Sequence, residues 1–147
     1  MKMKMKTKIQ INVLSIDAGD DTIHFQSYFS NGHCSTTLET YGYANEFQDF
    51  AKKITEFPKS IDDVAIYKLG ERGIKWAYYL LIKVYCSQPN GRASIRIEAT
   101  NNSISPYYHE SIFEIESQAA SLNRLGKSLL HWNPRESKKF EWTPNQQ

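Results

Sequence analysis

Four histidines, two cysteines and a scatter of carboxylates are the residues in this 147-residue chain able to move a proton, attack a carbonyl or hold a metal. Their spacing decides how much weight each carries. His24, His33, His109 and His131 stand singly, with no HExxH, no CxxC and no i, i+4 pair to set two ligands on one helix face. No metal site is expected. His33 and Cys34 are adjacent, and on a strand adjacent side chains point to opposite faces, so they cannot pair as thiol and imidazole. Cys86 ends an apolar stretch and reads as a buried small hydrophobe. No GxSxG nucleophile elbow occurs. Asp62-Asp63 and the Glu114/Glu116 pair are the nearest approach to paired carboxylates; the latter share one strand face, the ordinary arrangement of solvated charge as well as one suited to acid and base work. The glycines at 19, 32, 42, 70, 73, 91 and 126 form neither GxGxxG nor GxxxxGK[ST], so nothing signals a phosphate cradle. No catalytic residue and no cofactor is therefore assigned.

Two segments suit binding better than catalysis. Ser105-Pro106-Tyr107-Tyr108-His109-Glu110 puts aromatic rings beside polar groups as a Pro-bearing loop enters a strand, and rings of this kind anchor protein partners. Gly70-Glu71-Arg72-Gly73 is a charged turn of the same type. Tyr107, Tyr108, His109, Glu110, Glu71 and Arg72 are thus the candidate partner-binding residues. The competing reading packs Tyr107 and Tyr108 against a sheet edge. An enzymatic alternative would bring His109 to Glu110 or Glu114 near Tyr107, a site assembled only in three dimensions.

The elements that must position these loops are legible in the periodicity. Ile9, Ile11 and Val13 alternate over 8–17, and Ile23, Phe25 and Phe29 over 22–30; Asn31-Gly32 then turns the chain into a third strand ending near Thr40. Phe47, Phe50, Ala51, Ile54 and Phe57 recur at helical spacing, with Asn45 as N-cap, Gln48 answering it and Pro58 as the stop. Strands follow at 63–69, at 75–86 and, after Asn90-Gly91, at 94–99. The 75–86 segment is apolar on both alternating sets and reads as a central strand covered on both faces. A last strand spans 109–116, Ser117 caps a second helix bearing Leu122, Leu125, Leu129 and Trp132, and Asn133-Pro134 ends it. The expected fold is α+β: a two-layer sandwich with a mostly antiparallel sheet of about six to seven strands and two amphipathic helices on one face.

A 40% hydrophobic, 23% charged composition suits one globular domain of this length, with residues 1–7 as a basic N-terminal tail and 135–147 as a polar tail docked by Phe140 and Trp142. The formal net charge of +2 includes Lys2, Lys4, Lys6 and Lys8, so the remainder carries −2. That body offers little to a phosphate backbone, and nucleic acid is disfavoured as a partner. The basic start is not followed by an apolar h-region, and the longest apolar run, Trp76 to Ile82, is too short to cross a membrane. No membrane partner is expected, and the two separated cysteines fit a reduced, cytoplasmic setting.

Taken together, Tyr41-Gly42-Tyr43, Phe57-Pro58-Lys59-Ser60, Trp76-Ala77-Tyr78-Tyr79-Leu80, Pro106-Tyr107-Tyr108 and Leu122-Asn123-Arg124-Leu125-Gly126 resemble a family of small, uncharacterised bacterial α+β proteins over residues 40 to 132. No active site is carried across by that resemblance. Size and architecture are also similar, at the level of class, to immunity proteins that neutralise toxins. The expected function is a non-catalytic protein-binding module, an immunity protein with a cognate toxin being its specific form. The alternatives are a small-ligand binder or enzyme, and a structural homodimer.

Overall fold

In the computed structural model, which describes residues 5–144, the chain forms β1 (Lys8–Ile16), β2 (Ile23–Ser30), β3 (Ser35–Gly42), α1 (Gln48–Thr55), β4 (Val64–Gly70), β5 (Tyr79–Cys86), β6 (Arg92–Thr100), β7 (Glu110–Gln118), α2 (Ala119–His131) and β8 (Lys139–Trp142). The α+β class and the antiparallel pairing match the turn signals. The single sheet does not. The strands divide into two four-stranded antiparallel sheets, ordered β3-β2-β1-β8 and β4-β5-β6-β7. Short connections close each meander locally, whereas β3 and β4 are joined through α1, which imposes no pairing between them. The polar tail supplies the eighth strand: β8 lies beside β1 with Ile9 opposite Trp142 and Ile11 opposite Phe140. Residues 1–4, with Lys2 and Lys4 of the expected basic tail, and residues 145–147 lie outside the described residues.

Alternation supplies each sheet with one apolar face, and both faces turn inward on the same core. Ile9, Ile11, Phe29 and Phe140 from the first sheet meet Leu80 and Ile82 from the second, with Phe47 at the entry to α1 and Phe50, Leu125 and Leu129 from the helices closing the space between. The gap left among them is about 20 Å³. The helices therefore seal one core shared by two sheets rather than covering one face of a single sheet. Each fully buried Phe, Ile or Leu contributes roughly 1.5–3 kcal/mol of transfer free energy, so this shared core dominates the favourable side of folding.

Several local expectations are corrected. Helix α1 begins at Gln48 with Phe47, not Asn45, at the N-cap position and no side-chain cap, and the Gln48 amide reaches across to donate to the carbonyl oxygen of Leu130 at 3.1 Å instead of answering Asn45. Ser117 remains in β7 and donates to the Gln118 carbonyl, so α2 is uncapped by it. Strand β5 starts at Tyr79, not Lys75, and is not covered evenly on both faces: of its outer set Tyr79 is buried, while Leu81, Lys83 and Tyr85 lie half-buried on the open side of the sheet. Cys34 is not in a strand. It sits exposed in the β2–β3 loop, where the Asn31 side chain accepts hydrogen bonds from the His33 and Cys34 amides.

The two helices pack closely at Gly126. A Cβ there would lie 2.6 Å from the Thr55 amide nitrogen and 2.9 Å from the Ala51 carbonyl oxygen. Backbone atoms cannot rotate away, so any side chain at 126 must push α2 off α1. Gly126→Ala is expected to cost about 1–3 kcal/mol despite the better helix propensity of alanine, read as a lowered urea midpoint at unchanged m-value.

Candidate functional site

With the inner faces committed to the core, the two outer faces and the loops remain for contact. They differ in character. On the first sheet Lys8, Gln10 and Asn12 of β1 stand beside Tyr28 and Gln26 of β2 and Thr37 and Glu39 of β3, and the β1 side chains hydrogen-bond along the strand. On the second sheet the outward rows mix charge with apolar groups: Val64 and Tyr85, Ile66 and Lys83, then Leu81, Glu98 and Ile112. Val64, Ile66 and Ile112 are exposed there.

One end of this second face carries the two loops singled out by the sequence, and the structure brings them together. The β4–β5 loop (71–78) and the β6–β7 loop (101–109) are joined through Asn102, itself only 8% exposed. Its side-chain amide donates to the carbonyl oxygens of Glu71 at 2.7 Å and Trp76 at 3.2 Å, while its oxygen accepts from the Gly73 amide at 3.2 Å. Asn101 organises its own loop in the same manner: its oxygen accepts from the Ser103 and His109 amides at 3.1 and 3.0 Å, and its amide donates to the Tyr107 carbonyl at 2.8 Å. Asn102 holds φ at 51°, a left-handed conformation that asparagine tolerates better than most residues. Gly70 is required by both geometry and space, since φ is 74° and a Cβ would overlap the Tyr78 carbonyl oxygen.

A charge network locks the same end. The Arg72 guanidinium pairs with Glu110 and, at 2.8 Å, with Glu98, and it lies 4.7 Å from the ring centre of Tyr79. Arg96 reaches the second oxygen of Glu98 at 2.7 Å, and the Tyr108 hydroxyl donates to Glu110 at 3.0 Å. Hydrogen bonds from Arg96 and then Arg72 hold the Glu98 carboxyl below the usual carboxylate range, and the bond to Glu98 raises Arg72 further. Along the face, the hydrogen bond to Glu114 pushes the Tyr85 hydroxyl up. These shifts all lead away from neutrality. The groups therefore carry fixed charge or fixed protons at pH 7, which suits complementarity rather than proton transfer.

Of the candidate residues, Tyr107, Tyr108, Glu110 and Arg72 converge here, with Tyr107 76% and Tyr108 52% exposed. Glu71 contributes its carbonyl to the Asn102 latch and its carboxylate to Lys68. His109 lies just outside β7 with its ring nitrogen 3.3 Å from the Ser111 hydroxyl. Among the described residues His109 forms no ion pair with Glu110 or Glu114, whose carboxylates are engaged by Arg72 and Tyr85. The structure also exposes rings and chains that the pattern reading placed in strands or left unassigned: Ile74 at 77%, Trp76, Ile104, Tyr41 and Tyr43. Tyr41 joins this end because its amide donates to the Tyr78 hydroxyl at 3.2 Å. The signal available for the loops was the Asn101-Asn102 pair, two residues suited to organising backbone at a turn.

Between the loops lies an open depression of about 250 Å³ lined by Arg72, Gly73, Ile74, Asn102, Ser103, Tyr108 and Glu110. A second, of about 490 Å³, lies beside Val64, Lys83, Tyr85, Cys86 and Arg96. Among the described residues no cluster of three His, Cys, Asp or Glu side chains is placed to hold a metal, and no helix is long and apolar enough to cross a membrane. Comparison of the chain with family models, with curated proteins and with solved structures found no match.

Two predictions test this geometry. Asn102→Ala removes three hydrogen bonds and puts at φ 51° a residue that tolerates the left-handed region less well than asparagine, so it is expected to cost about 2–3 kcal/mol. The Gly73 amide should lose its hydrogen-exchange protection first, while core amides of β6 retain theirs under native conditions. For Glu98 the native pKa is lowered, so its contribution is full above the ordinary value of 4.5 and is lost as pH falls through the native value. Glu98→Gln should therefore lower the melting temperature at neutral pH by an amount equivalent to about 1 kcal/mol, discounted because both arginines are more than a third exposed. That difference from wild type should shrink as the solution is acidified below 4.5, a trend read by thermal melts across pH.

Proposed function

We propose that the protein is a non-catalytic protein-binding module whose partner meets the docked loops and the adjoining outer face of the β4–β7 sheet. The observation that carries this reading is the company of exposed Ile74, Trp76, Ile104, Tyr107 and Tyr108 at one end of that sheet, rimmed by Arg72, Glu98 and Glu110. Apolar anchors with a charged rim are the composition of a protein interface, and clustered exposed rings of this kind cost a free surface more than scattered ones. The loops are held by Asn101 and Asn102 and by ion pairs, so little ordering entropy remains to oppose association. The contrast with the polar outer face of the other sheet argues for a directional surface.

The specific form of the proposal is an immunity protein that neutralises a cognate toxin. Its support is class-level: the size and α+β architecture, and a body whose charge beyond the N-terminal lysines is −2, suited to a basic partner. Occlusion by a rigid surface needs no catalytic group, consistent with the titration directions of Glu98, Arg72 and Tyr85.

The test is affinity capture from lysate of the source organism at low and moderate salt, using the wild type and the double variant Tyr107→Ser/Tyr108→Ser. Wild type is expected to retain one stoichiometric protein at both salts, because rim charges screen while ring burial does not. Removing both rings should weaken retention by about a hundredfold, the equivalent of roughly 2–3 kcal/mol. Failure of the wild type to retain a partner, or equal retention by the variant, would sink the proposal.

A further inference from the structure

The two sheets present four edge strands: β3, β8, β4 and β7. An unpaired edge invites another strand, so native folds shorten, cover or cap such edges. Three are shortened or contacted at one point here. β8 is four residues long and pinned by Trp142, whose indole donates to the Ser121 carbonyl at 3.0 Å. The Glu114 carbonyl of β7 accepts from the Asn31 side chain at 3.0 Å, and the end of β3 is held where the Tyr41 amide meets the Tyr78 hydroxyl. β4 differs. It runs seven residues, and among the described residues no hydrogen bond other than its ladder to β5 reaches the backbone of Val64–Gly70. Its outward side chains Val64 and Ile66 are 42% and 46% exposed.

We infer that β4 is a pairing edge for a second copy of this chain, added antiparallel about a two-fold axis at Ile66 to make one eight-stranded sheet. The occupant follows from the order of charge along the segment. Asp62 and Asp63 precede the apolar pair and Lys68 follows it, so the edge reads acidic, apolar, basic. Reversing a copy of such an edge against itself matches the outward positions around Ile66. Ile66 meets Ile66 of the second copy, Val64 meets the stem of Lys68, and Asp62 lies diagonally from the Lys68 ammonium on the same face, within cross-strand reach. On the inner face Ala65 would oppose Tyr67, a small residue against a large one. A two-fold axis repeats each pair, so the complementarity counts twice. Lys68 already pairs with Glu71 three residues on, but both side chains are about half exposed and such a pair is readily shared. This inference does not rest on the loop surface, which lies beyond the Gly70 end of β4 and would be presented twice by the dimer.

Sedimentation velocity from about 1 µM to 1 mM reads the outcome directly, a range that brackets the dissociation constants of weak and moderate dimers. Wild type is expected to dimerise within it. Ile66→Lys, which sets like charges on the axis at a half-exposed position away from the core, should be monomeric throughout with an unchanged circular dichroism spectrum. Asp62→Lys and Lys68→Asp should each weaken the dimer by about tenfold or more, and the double reversal should recover it to within about threefold, since the complementarity is restored with its signs exchanged. A wild type that stays monomeric at the highest concentration would overturn the inference. So would a dimer that survives Ile66→Lys, or one abolished instead by Tyr107→Ser/Tyr108→Ser.

Discussion

Two sheets with one apolar face each can be stable in water only if those faces are buried, and here a single core buries both. Neither sheet could persist alone, because four twisted strands leave half their side chains facing solvent and an isolated apolar face would be exposed. The helices make the arrangement possible. With Phe47 at the entry to α1, they close the space between the sheets through Phe50, Leu125 and Leu129, and they sit close enough to do so because residue 126 lacks a side chain. Their contact is thus coupled to the spacing of the whole core, which is why one added methyl at Gly126 concerns the fold and not just two helices.

That constraint also decides what is left for function. Once the inner faces are spent, only outer faces, edges and loops remain exposed, and these surfaces are unequal. The outer face of β1–β3 is polar, and Lys8, Gln10 and Asn12 hydrogen-bond to one another along β1. The outer face of β4–β7 carries valine, isoleucine, leucine and tyrosine among paired charges. At its end the loops are held rigidly by two adjacent asparagines, one serving each loop. A rigid, ring-bearing surface would bind with less entropic cost than a mobile one, and under the proposed function that is what the half-buried Asn101 and the buried Asn102 contribute.

The ion network belongs to the same device. Glu98 lies between Arg72 and Arg96, its carboxylate bridging the β6 strand and the β4–β5 loop. Its side chain is 15% exposed, so partial burial strengthens these pairs relative to open surface pairs while the arginines remain partly solvated. The pairing of Glu110 with Arg72 and Tyr108 extends the network into the loop that carries the rings. Charge here fixes the loop that presents the exposed rings.

Strand and helix identities were legible from residues alone wherever the determinant is local. Alternation at Ile9, Ile11 and Val13 and helical spacing at Phe47, Phe50 and Ile54 read correctly, because side-chain direction in an element follows its own backbone period. Asn31-Gly32 and Asn90-Gly91 marked turns for the same reason, and both glycines take positive φ. Of the surface, the rings at 107 and 108 and the charged turn at 71 and 72 were visible as types without a relation between them. Tertiary structure alone decided that these loops meet, that Trp76 leaves the strand its apolar neighbours suggested, that Gln48 caps Leu130 instead of its own helix, and that eight strands form two sheets. Each depends on groups far apart in the chain: Asn102 is 31 residues from Glu71, and Gln48 is 82 from Leu130. A local pattern specifies which face of an element must be buried, but not against what. That choice is made by the free energy of the assembled core, to which no single segment holds the answer.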